Sequence, residues 1–318
     1  PCEANAGKDL LSFSVTVSRN NHTISLGRLS NFTIGIRTEA RDEKTGTKTV
    51  AAEDDASIID TFYYENLTVR RTYTLRGVLM DAETGEELQV EGSPVTAETS
   101  FAPTTRNGQV ELRFSLDASS LEGRTIVVYI ELYWKEIKLA EHKDLADEAE
   151  TVRVPTVGTT ALDRDTDSHV GSISQRAVLV DTVFYTGLTA GKEYTLSGTL
   201  MVQTTGEPLL SEGKPVTAEK TFVPEKPDGT VELSFIFDSR AVAGDTIVAF
   251  EEVSYQGIPV AAHTDLEDQE QSVAYPDLQT EAICKETGNQ QVAVGEKSQI
   301  LDQVSLKNLL PGESYTLR

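Results

Sequence analysis

Apolar and polar residues alternate along most of the chain in short segments with a period of two. The segments "YTLRGVLM", "VELRFSL" and "TIVVYIEL" show this alternation, which is typical of β-strands that bury one face. Turn signals such as "ETGEE", "RNGQ" and "PDGT" separate them. No segment shows a helical period of useful length. The pattern therefore predicts an all-β protein.

The same pattern returns after 121 residues. "DTFYYENLTVRRTYTLRGVLM", which begins at Asp60, returns as "DTVFYTGLTAGKEYTLSGTLM", which begins at Asp181, and His263 lies at the same offset from His142. A third copy begins near Pro276 and continues to the last residue. Such self-similarity indicates a tandem array of one structural module.

The repeats predict the domain organisation. We expect residues 1–33 to form an N-terminal strand or the end of a preceding domain, with repeat 1 at 34–154, repeat 2 at 155–275 and a partial repeat 3 at 276–318. Several short strands in about 120 residues favour immunoglobulin-like antiparallel β-sandwiches. No Gly/Ser linker separates the repeats, which favours a rod-like array. Because the chain begins and ends within a pattern, we expect it to be part of a longer protein.

The net charge of the chain limits the classes of partner that it can bind. With 28 basic and 51 acidic residues, the net charge is -23, which argues against nucleic acid as a partner. The absence of a long apolar run argues against membrane insertion. The two cysteines, Cys2 and Cys284, lie in different segments and are predicted to be free thiols. No metal site or cofactor is predicted.

Repeat 2 contains an unusual set of polar residues. Thr159 lies in its first predicted strand and Gln271 in its last, and the first and last strands of a sandwich can be neighbours. Asp181, Glu251 and His263 lie on segments between them. A hydroxyl, two acids, a base and a carboxamide would then meet in one site. Spacing alone leaves a purely structural role for the histidine and the acids open.

The repeats resemble the ester-bond-forming domains, or VaFE repeats, of Gram-positive bacterial surface adhesins. The resemblance rests on "VAFEE", "YTLSGTLM", "KPVTAEKTF" and "HTDLEDQEQSV", and it covers repeats 1 and 2 and the start of repeat 3. It implies that Thr159 attacks Gln271 to form an intramolecular ester with loss of ammonia. It also implies that His263 is the general base and that Asp181 and Glu251 are paired acids around the amide carbonyl.

The resemblance further implies a structural role and a location. The chain would be a stalk segment of an adhesin on the bacterial surface, anchored to the cell wall through a region outside this sequence. Its partners would be neighbouring modules, and other domains would bind the host surface ligand. The cross-linking reaction turns over once, so the protein would not be an enzyme.

General chemistry is consistent with these roles. A threonine hydroxyl becomes a useful nucleophile only when a base removes its proton. A neutral amide needs its carbonyl polarised as negative charge develops on the oxygen. Two carboxyl groups in one apolar pocket cannot both ionise, so one remains protonated and can donate. Folding supplies proximity, for which effective molarities of about 10⁵ M are known.

Repeat 1 departs from this pattern at two of the five positions. It keeps Thr38, Asp60 and His142 but has Ile130 and Glu150 where repeat 2 has Glu251 and Gln271. We therefore predict that repeat 1 forms no ester. Asp60 and Glu150 would instead share a proton or hydrogen-bond to Thr38 and His142. A Thr38–Glu150 ester formed with loss of water is the alternative.

Repeat 3 contains the partial set Thr280 and Asp302. Its counterparts of the glutamate, histidine and glutamine would follow Arg318, so this part of the repeat cannot be cross-linked by itself.

Other functions stay open at this stage. One is a binding module for a glycan or host protein, to which the adjacent Tyr133 and Trp134 could contribute. Another is a hydrolase that uses Thr, His and Asp. A Lys–Asn isopeptide would also release ammonia, but no first-strand lysine is matched by a last-strand asparagine.

Overall fold

The computed structural model describes residues 33–318 except 293 and 296. The chain divides between Val154 and Pro155 into two compact units. The described residues contain β-strands and one short 3-10 helix but no α-helix, so the all-β prediction is confirmed. The strand predicted within residues 1–33 lies outside the described residues, which begin at Thr33.

Repeat 1 forms two antiparallel sheets. Strands β1, β2 and β8 pair with β3 in the first sheet, and β10-β9-β4-β7 forms the second, with β11 also paired to β9. The strands are β1 (Gly35–Arg37), β2 (Ala40–Asp42), β3 (Ala56–Glu65), β4 (Tyr73–Asp81), β5 (Gln89–Val90), β6 (Ser93–Pro94), β7 (Thr96–Phe101), β8 (Gly108–Leu116), β9 (Thr125–Trp134), β10 (Ile137–His142) and β11 (Thr151–Arg153).

Repeat 2 repeats this arrangement. One sheet has the order β12-β13-β19 and the other the order β15-β14-β20-β21, with β18 also paired to β14 and β22 to β20. The elements are β12 (Thr156–Asp163), β13 (Ala177–Thr186), β14 (Tyr194–Val202), β15 (Glu207–Pro208), β16 (Leu210–Ser211), β17 (Lys214–Pro215), β18 (Thr217–Phe222), β19 (Gly229–Phe237), a 3-10 helix (Ser239–Val242), β20 (Thr246–Tyr255), β21 (Ile258–His263) and β22 (Ser272–Ala274).

The core of repeat 2 lies between its two sheets. Alternate residues of each strand point to opposite faces, and the inward residues Leu179 and Val183 of β13 share one buried cluster with Ala249 and Val253 of β20. Repeat 1 has an equivalent cluster. Each repeat is therefore an antiparallel β-sandwich.

The end of repeat 2 brings its first and last strands together. One edge of β20 pairs with β14, and β22 and β21 share the other edge. Just before β22, the carbonyl of Gln271 accepts from the backbone N–H of Ala249 at 3.1 Å, and the carbonyl of Glu270 accepts from Ala161 of β12 at 2.8 Å. This last segment thus touches both sheets.

The described part of repeat 3 consists of the pair β23 (Asp277–Cys284) and β24 (Ile300–Lys307). Thr280 lies opposite Val304, as Thr159 lies opposite Val183 in repeat 2. The Nδ2 atom of Asn308, just after β24, donates to the carbonyl of Asp245 at 2.7 Å. Repeat 3 therefore contacts repeat 2 within the second unit.

Candidate cross-link site

The polar residues predicted for repeat 2 converge inside its sandwich. Thr159, Asp181 and Glu251 lie at inward positions of β12, β13 and β20, and Gln271 directly precedes β22. Their exposed fractions are 7%, 0%, 1% and 0%. Polar groups are costly to bury without partners, so four of them in an apolar core indicate a specific role.

Hydrogen bonding at this site is incomplete. Nε2 of Gln271 donates to Oε2 of Glu251 at 2.9 Å. The hydroxyl of Thr159, both carboxyl oxygens of Asp181, Oε1 of Glu251 and Oε1 of Gln271 have no hydrogen-bond partner. Each buried unpartnered group costs about 1–3 kcal/mol. The site thus contains a hydroxyl, two carboxyl groups and a carboxamide whose polar atoms are poorly satisfied.

The two carboxyl groups have strongly altered pKa values. Burial and the charge of Asp181 raise the pKa of Glu251 to about 10. Burial also raises the pKa of Asp181. The nearby Glu251 and Thr159 side chains lower this pKa in part, although neither completes a hydrogen bond to Asp181. Glu251 is therefore the protonated member at neutral pH. Its proton turns one carboxyl oxygen into a donor toward Asp181 or the substrate amide.

His263 lies at the edge of this site. It ends β21 opposite Glu251, and its side chain is 27% exposed. Its Nε2 atom is 2.8 Å from Oδ2 of Asp268, and this hydrogen bond lowers the pKa of Asp268. A carboxylate behind an imidazole orients the ring and stabilises its protonated form.

Asp268 is a site residue that the sequence analysis did not identify. The available signal was the spacing His-x4-Asp, which occurs in repeat 1 as His142 and Asp147 and in repeat 2 as His263 and Asp268. The 2.8 Å contact recurs between His142 and Asp147.

The matching protein family agrees with this geometry. A family model described as T-Q ester bond containing domain matches residues 34–154, 155–275 and 276–318. The chain belongs to the T-Q ester bond domain family. T-Q domains are self-cross-linking structural modules and not enzymes with an external substrate. The family resemblance of the sequence is therefore confirmed.

Two of the solved structures that match are distant in sequence. A bacterial adhesin from Mobiluncus mulieris containing intramolecular disulfide, isopeptide and ester bond cross-links aligns at 14% identity and a TM-score of 0.33, covering 87% of this chain and 98% of its own. The C-terminal domain of the Streptococcus agalactiae AgI/II polypeptide BspA aligns at 8% identity and a TM-score of 0.35, covering 71% and 97%. A search of curated proteins gave no match.

The first T-Q domain places its threonine at the same point of the sheet. Arg37 of β1 lies opposite Tyr63 and Ala40 of β2 opposite Asp60, so the two segments pair with β3 in one register. Between them, Glu39 and Thr61 exchange backbone hydrogen bonds at 3.2 and 2.9 Å, and the backbone N–H of Glu39 also lies 3.1 Å from Oδ1 of Asp60. Thr38 is buried, with an exposed fraction of 2%.

The acid pair of the first T-Q domain consists of Asp60 and Glu150, both fully buried. Burial raises the pKa of Asp60 to about 6. Burial and the charge of Asp60 raise the pKa of Glu150 to about 8. The Thr38 hydroxyl, Oδ2 of Asp60 and both Glu150 carboxyl oxygens have no hydrogen-bond partner. Ile130 fills the position of Glu251 and is fully buried opposite His142.

Glu131 does not replace the missing glutamate of the first T-Q domain. It points to the outer face of β9, where its carboxylate accepts from the Tyr133 hydroxyl and from Lys143, each at 2.7 Å. The ring of Tyr133 is covered by Arg76 at 4.8 Å, and that of Trp134 by Arg71 at 4.2 Å. The Tyr133–Trp134 pair therefore gives no support to a binding-site interpretation.

The remaining predicted features lie away from the two buried sites. Thr280 and Asp302 of the third T-Q segment are exposed. The thiol of Cys284 is buried and donates to Glu286 at 3.0 Å, while Cys2 is outside the described residues. Across the described ranges, no cluster of His, Cys, Asp and Glu is suited to a metal ion. No helix in the same ranges is long and apolar enough to cross a membrane.

Proposed function

We propose that repeat 2 forms an intramolecular ester between Thr159 and Gln271. The observation that carries this proposal is the burial of both residues with Asp181 and Glu251, with Gln271 held on Glu251 at 2.9 Å. Membership of the T-Q family supports the same pair of residues.

The residues have distinct roles in the proposed reaction. Oγ1 of Thr159 attacks Cδ of Gln271 while His263, oriented by Asp268, accepts the hydroxyl proton. The protonated Glu251, paired with Asp181, stabilises the oxygen that becomes negative. The Cδ–Nε2 bond then breaks, and the nitrogen leaves as ammonia with the proton held by His263. The product is the Oγ1–Cδ ester.

Glu251 contacts the carboxamide through its nitrogen in this structure. In this orientation its carboxyl group lies beside the leaving nitrogen. A half-turn of the carboxamide exchanges its nitrogen and oxygen and places Oε1 of Gln271 beside the protonated carboxyl group. The second orientation is the one that oxyanion stabilisation requires.

The proposed biological role follows from where the bond lies. Tension on a tandem module enters at its first strand and leaves at its last strand. A covalent bond between these strands carries that tension without separation of the sheet. We propose a stalk segment of a Gram-positive cell-surface adhesin in which neighbouring modules form a rod and other domains bind the host ligand. Anchoring to the cell wall would occur through a region outside this chain.

We propose that repeat 1 forms no ester. Ile130 cannot carry the proton that Glu251 carries, and the carboxyl group of Glu150 is a poor acyl donor. Asp60 and Glu150 instead share one proton, as the pKa of Glu150, raised by burial and by the charge of Asp60, supports.

Intact mass spectrometry tests the proposed bond. We expect the parent chain to weigh about 17 Da less than its sequence, the mass of one ammonia lost in acyl transfer. Thr159→Ala and Gln271→Ala should abolish this deficit, whereas the matched control Thr38→Ala should retain it. Hydroxylamine should cleave the bond, which distinguishes an ester from an isopeptide. A deficit that persists in Thr159→Ala would reject the assignment.

A further inference from the structure

A lysine of repeat 1 joins the two segments that an ester would join. Lys48 lies in the connection between β2 and β3, and its Nζ atom donates to the backbone carbonyls of Ala40 and Ala149. Ala40 is two residues beyond Thr38 on the first strand, and Ala149 directly precedes Glu150. The ammonium group of Lys48 is therefore hydrogen-bonded both to the first-strand segment and to the last-strand segment of repeat 1.

The charge of Lys48 also suits the acid pair. Burial, the largest effect, lowers the pKa of Lys48, whereas the charges of Glu150, Glu39, Asp60 and Asp147 raise it. In return, the positive charge of Lys48 lowers the pKa of both Asp60 and Glu150. With one proton shared by these two acids, the cluster contains one carboxylate, one carboxylic acid and one ammonium. Its net charge is then zero, which reduces the cost of burying it.

Repeat 2 has a different residue at this position. His169 lies 121 residues after Lys48, and its ring contacts the last segment, with Nδ1 at 3.0 Å from the carbonyl of Ser272 and Nε2 at 3.8 Å from Glu270. The strand-to-strand backbone hydrogen bond is otherwise the same, at 2.9 Å from Ala40 to Ala149 and 2.8 Å from Ala161 to Glu270. This position is thus a lysine in the repeat with the altered site and a histidine in the repeat with the full set of site residues.

We propose that Lys48 is a non-covalent replacement for the ester in repeat 1, an ammonium clasp that holds the first strand to the last across the Asp60–Glu150 pair. The inference rests on the proposed absence of an ester in that repeat. The clasp can open and close again, whereas the ester of repeat 2 forms once. Repeat 1 would therefore open first under load and recover afterwards.

Hydrogen exchange of the full chain tests the clasp. In Lys48→Met we expect exchange in the peptides that cover residues 38–42 and 147–153 to rise at least about tenfold, because the strand pair loses its clasp and opens locally. Lys48→Arg keeps the charge and donors and should remain near the parent. The matched control His169→Met should change exchange at 159–163 and 268–273 less than about twofold, because the ester holds those segments.

A second variant keeps the test decisive if Lys48→Met unfolds the whole repeat. Lys48→Gln retains N–H donors without the charge, and we expect its two segments to exchange faster than those of Lys48→Arg. Equal exchange at these segments in the parent, Lys48→Gln and Lys48→Arg would overturn the clasp.

Intact mass separates this inference from the proposed function. In the Thr159→Ala background, where no ester is expected in repeat 2, a chain of full sequence mass supports the clasp. A deficit of about 18 Da that Thr38→Ala removes would mean that repeat 1 does form an ester. A deficit of about 18 Da that only substitution of Lys48 removes would mean a Lys48–Glu150 amide, formed with loss of water. Either deficit overturns the clasp.

Discussion

At the scale of single residues, both buried sites contain two carboxyl groups, but these occupy different positions. In repeat 2 they are Asp181 and Glu251, and Gln271 is left as a neutral acyl donor. In repeat 1 the second carboxyl group belongs to Glu150, the residue at the acyl-donor position. The acid pair is thus retained, whereas the amide that could react is lost.

Substitution of Glu251 by the residue that repeat 1 uses tests the proton-carrying role. We expect Glu251→Ile to leave the chain at full sequence mass, because Asp181 alone cannot both remain ionised and donate a proton. Intact mass of the purified chain is the measurement. Gly198→Ala is a poor control because an added Cβ would lie 2.5 Å from Phe235, so Glu252→Ile on the outer face is preferable. A persistent deficit in Glu251→Ile would show that the glutamate is dispensable.

The acid pair of repeat 1 predicts that the stability of this repeat depends on pH. The folded pKa values of Asp60 and Glu150, about 6 and about 8, lie above the usual values of 3.8 and 4.5. Their contribution to the free energy of unfolding is therefore complete below about pH 4 and is lost as the pH rises to about 8. The free energy of unfolding falls by at most about 1.4 kcal/mol per pH unit for each proton. The lowered pKa of Lys48 acts in the opposite direction.

Thermal unfolding of the first unit between pH 5 and pH 8 measures this effect. We expect the unfolding temperature to fall with rising pH in the parent and to fall less in Glu150→Gln, which removes one titrating group. Intact mass of the variant shows that no new bond complicates the comparison. Identical pH slopes in the two chains would contradict the shifted pKa of Glu150.

At the scale of elements, the shared edge of β20 positions the acyl donor. Because β21 and β22 occupy successive parts of this edge, Gln271 enters the core where one pairing ends and the other begins. The opposite partner, Thr159, lies on β12 opposite Val183. In repeat 1 the common register of β1 and β2 on β3 gives Thr38 the same support.

Restoration of the two altered positions tests whether these supports are sufficient. We expect Ile130→Glu combined with Glu150→Gln to lower the mass by a further amount of about 17 Da, because the paired acids and the amide are then present. Each single substitution should leave the mass deficit of the parent unchanged. Failure of the double variant, with its fold intact, would assign the defect to Lys48 or to another residue around the site.

The sequence predicted those parts of the structure that follow from periodicity. Alternation in "VGTTALD" and "TIVAFEEVSY" puts Thr159 and Glu251 on the inward faces of their strands, and both are buried. The hydrogen bond from the backbone N–H of Glu39 to Asp60 could not be predicted, because it joins residues on different strands. Lys48 and Asp268 lie in connections without a period, so only the folded chain shows what they contact.

At the scale of the whole molecule, the two units differ in the covalent constraint proposed for them. An ester from Thr159 to Gln271 would close a loop of 112 residues by their numbering. By analogy with disulfides, such a loop stabilises by about 4–5 kcal/mol through restriction of the unfolded chain. The first unit has no such loop in our proposal.

Calorimetry of the intact chain tests this difference. We expect Thr159→Ala to lower the unfolding temperature of the second unit and to leave that of the first unit unchanged. Thr159→Ser is the matched control, since it keeps a hydroxyl and should keep most of the bond. An unchanged second transition in Thr159→Ala would indicate that the loop contributes little to stability.

The proximity of the first and last strands of repeat 2 also determines what a protease can release. Once Thr159 and Gln271 are joined, residues 159–271 form a closed covalent ring, and the rest of the chain is attached to the ring at these two residues. A single cut in the exposed hairpin at Leu210–Ser211 opens the ring but leaves both halves attached. The nicked protein would migrate as one species after denaturation, whereas the same cut in repeat 1 would separate the chain into two pieces.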